Sequence, residues 1–123
     1  MGNLSPHFDL SEFACHHCGK TPSRSAVLPL VAVLEKARAR FYPRGLVIIS
    51  GYRCPVHNAA VGGKPHSRHL VGDAADIAPV MTLSQAQALG FRGVGVDVHG
   101  HACHVDMRPT PAVWHYDENG NTP

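Results

Sequence analysis

Between residues 102 and 108 the side-chain chemistry alternates residue by residue, and this pattern constrains the fold more than any other stretch of the chain. Successive side chains of a strand point to opposite faces, so Ala102, His104, Asp106 and Arg108 share one face and Cys103, Val105 and Met107 the other. The second set reads as a core face. The first lays an imidazole, a carboxylate and a guanidinium in a row, which an ordinary solvated strand also does. Residues 94–98 supply a neighbour, giving a hairpin around His99-Gly100-His101.

The rest of the chain supplies what such a hairpin packs against. Leu30, Leu34, Ala37 and Phe41 recur on one helical face, with Lys36, Arg38 and Arg40 turned away from it. Pro29 suits the first turn of that helix and Pro43 ends it. The β-branched run at 46–49 predicts a buried strand and residues 74–77 a second. Residues 55–61 read as a short helix stopped by Gly62-Gly63. Thr82-Leu83-Ser84-Gln85 is a capping box opening a helix that Gly90 closes. Residues 1–24 are polar and loop-like, with Phe8, Leu10 and Phe13 as anchors, and residues 117–123 read as a frayed tail. The expected fold is α+β, a small, mostly antiparallel sheet with helices packed on one side, forming a single domain over 1–123. A chain of 123 residues has room for one core.

Composition removes several functions. The longest apolar stretch, 26–34, contains Pro29 and is far short of the roughly 18 residues of a membrane span, so no membrane insertion is expected. Net charge is +2 with Lys and Arg scattered, which gives no basic stripe for a nucleic-acid partner. Residues 1–6 show neither a basic n-region followed by an apolar h-region nor a myristoylation pattern. The chain is therefore expected to stay in the cytoplasm until released, or to act after removal of a leader.

Histidine is the unusual count, ten against nine carboxylates, and it raises the expectation of a metal site. His69 and Asp76 flank Gly72, which permits a turn bringing the two side chains together. With His104 they make a three-ligand set with an open fourth position, the composition of a catalytic zinc site. The cysteines are less decisive. Cys15-His16-His17-Cys18 is a C-x-x-C without a second pair at zinc-ribbon spacing and without a thioredoxin-like βαβ pattern. Cys103 reads as a buried core thiol. For Cys15, Cys18 and Cys54, a disulfide from Cys54 to one of the pair, a second structural metal, and free thiols all stay open.

A family resemblance sharpens these readings. Ser50-Gly51-Tyr52-Arg53-Cys54-Pro55, His57-Asn58, Val61-Gly62-Gly63, the S-x-H-x-x-G-x-A-x-D run from Ser67 to Asp76, Gly93-Val94-Gly95-Val96 and His104-Val105-Asp106 resemble the M15 metallopeptidases. The likeness is greatest to the small D-alanyl-D-alanine carboxypeptidase-like group of bacteria and phages. It implies one zinc ion and hydrolysis of peptide bonds in peptidoglycan stem peptides, as a D,D-carboxypeptidase or an endolysin-like endopeptidase. It also implies a peptidoglycan peptide as partner and action at the cell wall, in periplasm or outside the cell; the chain is expected to be a monomer. Residue by residue, His69, Asp76 and His104 match the zinc ligands. Arg53 matches an arginine aimed at the substrate carbonyl or carboxylate, with a surface salt bridge as the bland alternative. Ser67 matches a serine shaping the substrate cleft, or simply caps a turn. His57-Asn58 falls within the pattern, near Arg53. For the general base, many members carry Asp or Glu three residues before the last zinc histidine, where this chain has His101. The subgroup most resembled has a carboxylate two residues after it, here Asp106. His7, His16, His17 and His115 receive no role, and His66 and His99 read as loop histidines. The alternative function is a zinc-containing wall-binding or phage structural module without turnover.

Overall fold

The longest helix opens at Ser23, whose hydroxyl accepts the Ala26 N–H at 3.2 Å. A computed structural model describes residues 2–119, and in it α1 (Arg24–Phe41) starts before the position Pro29 suggested, leaving that proline inside the helix. Pro29 and Ser25, the residue whose carbonyl it cannot serve, are both exposed, the least costly place for a lost helical bond. Val27, Leu30, Val31, Leu34 and Ala37 form the buried face. Phe41 is solvent-exposed, and Tyr42 takes the last core position while its hydroxyl donates to the Pro79 carbonyl at 2.6 Å.

Five strands follow in the spatial order β1-β2-β4-β3-β5. They are β1 (Val47–Ser50), β2 (Ala74–Thr82), β3 (Gly93–Val96), β4 (His101–Asp106) and β5 (Ala112–His115). All pairs are antiparallel except β3 with β5. The architecture is the expected α+β, made mixed by a strand the sequence reading lacked. The run at 46–49 is a correction: β1 is an edge strand, with Val47 59% and Ile49 51% exposed. An apolar run signals a strand but not how many neighbours it has, and an edge strand with only one sheet partner leaves alternate residues in water. The β3–β4 hairpin forms as read. Asp97 Oδ1 accepts the N–H of both His99 and His101 at 2.9 Å, and Gly100 turns the chain at φ +82°.

The core lies between one sheet face and the helices α1 and α4 (Leu83–Leu89). The sheet gives Ala75, Ile77, Val94, Val96, Ala102 and Val105 to it, and Phe8 and Phe13 close one side with ring centroids 6.4 Å apart. Each fully buried side chain of this size contributes about 1.5–3 kcal/mol. The expected capping box holds α4, with Thr82 Oγ1 accepting from Gln85 N and Gln85 Oε1 from Thr82 N, both at 3.0 Å. Two short helices, α2 (Pro55–Ala60) and α3 (Arg68–Val71), stand outside that layer, where α3 meets β2.

One irregularity decides which residues share the opposite face. Strand β4 pairs His104 with Gly95 and then Ala102 with Val96, so Cys103 is an extra residue with no opposite number on β3. Such a bulge breaks strict alternation. Ala102 therefore points into the core rather than sharing a face with His104, and Cys103 is not a core thiol. His101 opens β4 opposite Thr82 and is exposed. Across the opposite face Ser50, Asp76, His104, Gly95 and Trp114 stand in one row, with Ala74, Asp106, Gly93 and Ala112 in the next.

Candidate metal centre

The turn that delivers His69 is built from three small devices. Ser67 Oγ accepts the His69 N–H at 3.2 Å and so caps α3, the turn-capping role of the two weighed for it. Gly72 ends α3 at φ +98°, where a Cβ would also fall 2.5 Å from the Pro22 ring. The reversal feeds directly into β2, so His69 and Asp76 meet as their spacing implied. The side-chain Nδ1 of His69 donates to the Gly51 carbonyl at 2.6 Å. A carbonyl only accepts, so this bond fixes the proton on Nδ1 and leaves the Nε2 lone pair free in the neutral ring. Nε2 is buried, makes no hydrogen bond, and lies 3.3 Å from Asp76 Oδ1.

His104 presents its other nitrogen to the same oxygen. Its Nδ1 is 3.1 Å from Asp76 Oδ1, and its Nε2 donates to Asp106 Oδ2 at 2.8 Å. The two imidazoles meet edge-on, with centroids 5.0 Å apart. Burial alone would push Asp76 up; its contacts with His104 and His69 outweigh it and hold the carboxyl well below the usual range. Burial likewise opposes a charged His104, but Asp106 and Asp76 on either side raise its pKa. Asp76 Oδ2 accepts from Arg53 Nη2 at 3.2 Å.

Asp106 sits behind His104. It is fully buried, touches the ring nitrogen that points away from Asp76, and is gripped by Arg108 through Nε at 2.9 Å and Nη2 at 2.7 Å. Burial opposes its charge, yet His104 and Arg108 hold its pKa far below the ordinary value. The Arg108 guanidinium in turn lies 4.5 Å over the Trp114 ring. Glycine is required beneath this brace: a Cβ on Gly93 would fall 2.1 Å from Asp106 Oδ1. On Gly95 it would fall 2.7 Å from Tyr116 Cε2 and 2.9 Å from Trp114 Nε1. Trp114 also packs on His104, with centroids 5.1 Å apart, so it and Tyr116 wall the site. Neither residue was singled out from sequence. The two glycines alternating in β3 are the signal that large side chains cross there.

Arg53 is positioned by backbone and by a buried amide. Its N–H donates to the His69 carbonyl at 3.0 Å, and Nη1 reaches Asn58 Oδ1 at 3.4 Å. Asn58 donates to the Lys64 carbonyl at 2.9 Å, which ties α2 to the loop before α3. Cys103, on its bulge, is pushed up to about 11 by burial and by the charges of Asp76 and Asp97. His101 is exposed at the start of β4. A second cluster lies elsewhere: Cys15, Cys18 and Cys54 converge at the N-terminal loop.

One point in space is thus flanked by two imidazole nitrogens and a carboxylate oxygen, all within 4.8 Å of one another. Each imidazole has its second nitrogen already engaged. A borderline N, N, O donor set with an unsatisfied buried nitrogen suits zinc. The fold and site together define an α+β domain with a candidate mononuclear metal site. The family model for peptidase M15 matches residues 6–106, most of the chain, and the protein belongs to that family of zinc-dependent peptidases. No curated protein matches the chain. No helix among the described residues is long and apolar enough to cross a membrane.

Proposed function

We propose that this protein is a zinc peptidase that hydrolyses peptide bonds in peptidoglycan stem peptides, acting at the cell wall. The observation that carries the metal-dependent part is the buried, unbonded Nε2 of His69 facing Asp76 Oδ1 beside Nδ1 of His104. His69, Asp76 and His104 would hold the ion. When bound, zinc supplies Lewis-acid polarisation of a carbonyl and makes water a stronger acid. Arg53, a fixed cation beside Asp76, binds the substrate carbonyl or terminal carboxylate and stabilises the charge that develops during attack. Trp114 and Tyr116 exclude water from one side of the cleft. Burial, the largest influence on Tyr116, raises its pKa, so the phenol stays protonated and serves as a hydrogen-bond donor. Asp106 is a positioning residue: it holds the proton on His104 Nε2 and so keeps Nδ1 turned to the ion. The role of proton acceptor then falls to His101, the other candidate on β4.

The test is digestion of purified peptidoglycan of several chemotypes, read by mass spectrometry of the released muropeptides. The expected result is shortened stem peptides with the native protein and none with His69→Ala. Zinc bound at this centre without cleavage of any chemotype would instead support the non-catalytic wall-binding module.

A further inference from the structure

The three thiols outside the active site converge from two parts of the chain. Cys15 and Cys18 come from the N-terminal loop and Cys54 from the N-cap of α2, and their sulfurs lie within 4.8 Å of one another. A fourth donor stands beside one of them: His17 Nδ1 is 3.5 Å from Cys54 Sγ. The His17 ring is held there by stacking on His57, at 6.2 Å between centroids and 7° between planes. Backbone N–H groups already point at the sulfurs. Cys54 N–H donates to Cys15 Sγ and His57 N–H to Cys54 Sγ, both at 3.4 Å. The loop between the first two cysteines is closed on itself, with Cys15 N–H on the Lys20 carbonyl at 2.8 Å and Gly19 N–H on the Cys15 carbonyl at 2.9 Å. A disulfide would consume two of these sulfurs and leave the third thiol with nothing to bind.

We propose that Cys15, Cys18, Cys54 and His17 form a second, closed zinc site of structural type. Three sulfurs and one imidazole nitrogen are a complete tetrahedral set for that ion, with no open position for chemistry. On binding, each ligating thiol gives up its proton to solvent and the imidazole ligates neutral, so the loaded site carries one net negative charge. The N–H donors stabilise the sulfur charge.

The location gives the site its purpose. The N-terminal segment has little regular structure beyond the one-turn 3₁₀ helix Leu10–Phe13 and depends on its attachment to the body. It runs against the residues just before Cys54: Tyr52 N–H donates to the Phe13 carbonyl at 2.9 Å, and a Cβ on Gly51 would fall 2.7 Å from Phe13 Cα. Gly51 supplies the acceptor for His69, and Arg53 bonds Asp76. A metal at the thiols therefore staples the stretch that orients one catalytic-site ligand and the substrate-facing arginine. This makes it a positioning device for the active site.

Metal content and cobalt spectra of the full chain, purified under reducing conditions, test the proposal. Two metal ions per chain are expected, and the cobalt-loaded protein should show thiolate-to-cobalt charge-transfer absorption in the near ultraviolet. The exposed Cys18→Ala should lower the count to one and abolish that absorption. His69→Ala should also lower it to one but keep the absorption, which separates this site from the active-site reading. A single ion per native chain without charge-transfer absorption would overturn the proposal. So would absorption unchanged by Cys18→Ala, or a disulfide within this trio in the reduced preparation.

Discussion

Asp106→Asn separates a positioning carboxylate from a general base. In the folded protein Asp106 has no solvent exposure and accepts from His104 Nε2 at 2.8 Å and from Arg108 at 2.7, 2.9 and 3.1 Å. Asparagine keeps the size and one oxygen but turns an NH₂ group toward donors on His104 or Arg108. Removing one member of a buried ion pair costs about 3–5 kcal/mol. Arg108 keeps some water access and its Trp114 contact, so the lower end, about 3 kcal/mol, is expected. For a domain of this size that lowers the melting temperature by roughly 10–15 °C. The His104 ring also loses the charge that makes Nδ1 basic, which should weaken zinc binding roughly 10–100-fold. Thermal unfolding, competition against a chromophoric chelator, and turnover at saturating zinc measure these three quantities. Turnover at saturation should stay within about tenfold of native, while His101→Ala should lower kcat by roughly 10²–10⁴ with zinc retained. Native stability and zinc affinity in Asp106→Asn, with kcat reduced by that factor, would refute the reasoning and return the base to Asp106.

Three further outcomes follow from the contacts. Arg53→Ala should retain zinc and raise the barrier by about 2.7–4 kcal/mol, read as kcat/KM on a stem peptide. Gly95→Ala places a methyl 2.7 Å from Tyr116 and 2.9 Å from Trp114, so about 1–3 kcal/mol of stability and much of the turnover should be lost with zinc still bound. Burial opposes the charge on Glu35, but Ser5 Oγ at 2.6 Å and His7 Nδ1 at 2.7 Å overcome it and depress its pKa below the ordinary 4.5. A depressed folded pKa gives stability that is present above about 4.5 and lost as pH falls through the folded value. Glu35→Gln should therefore cost about 1 kcal/mol at pH 7 in denaturant unfolding, and the gap should close on acidification below about 4.5.

The parts legible in sequence were those fixed by local chemistry. The Thr82–Gln85 box, the apolar face of Leu30, Leu34 and Ala37, and the His69-Gly72-Asp76 reversal each need only neighbours a few residues away. Strict alternation failed at Cys103 because a bulge is set by pairing with β3, and it carried Ala102 into the core. Strand β5 pairs in parallel across the hairpin, so nothing local to Ala112–His115 announced the Trp114 wall or its hold on Arg108. His17 was given no role for the same reason: its nearness to Cys54 arises only when the N-terminal loop folds against α2.

The most direct test of the central claim is an anomalous difference map at the zinc edge, from crystals grown with zinc. The account predicts a peak roughly 2.0–2.2 Å from His69 Nε2, Asp76 Oδ1 and His104 Nδ1 together. A map without density at that point, or with the ion on His104 Nε2 beside Asp106, would contradict it.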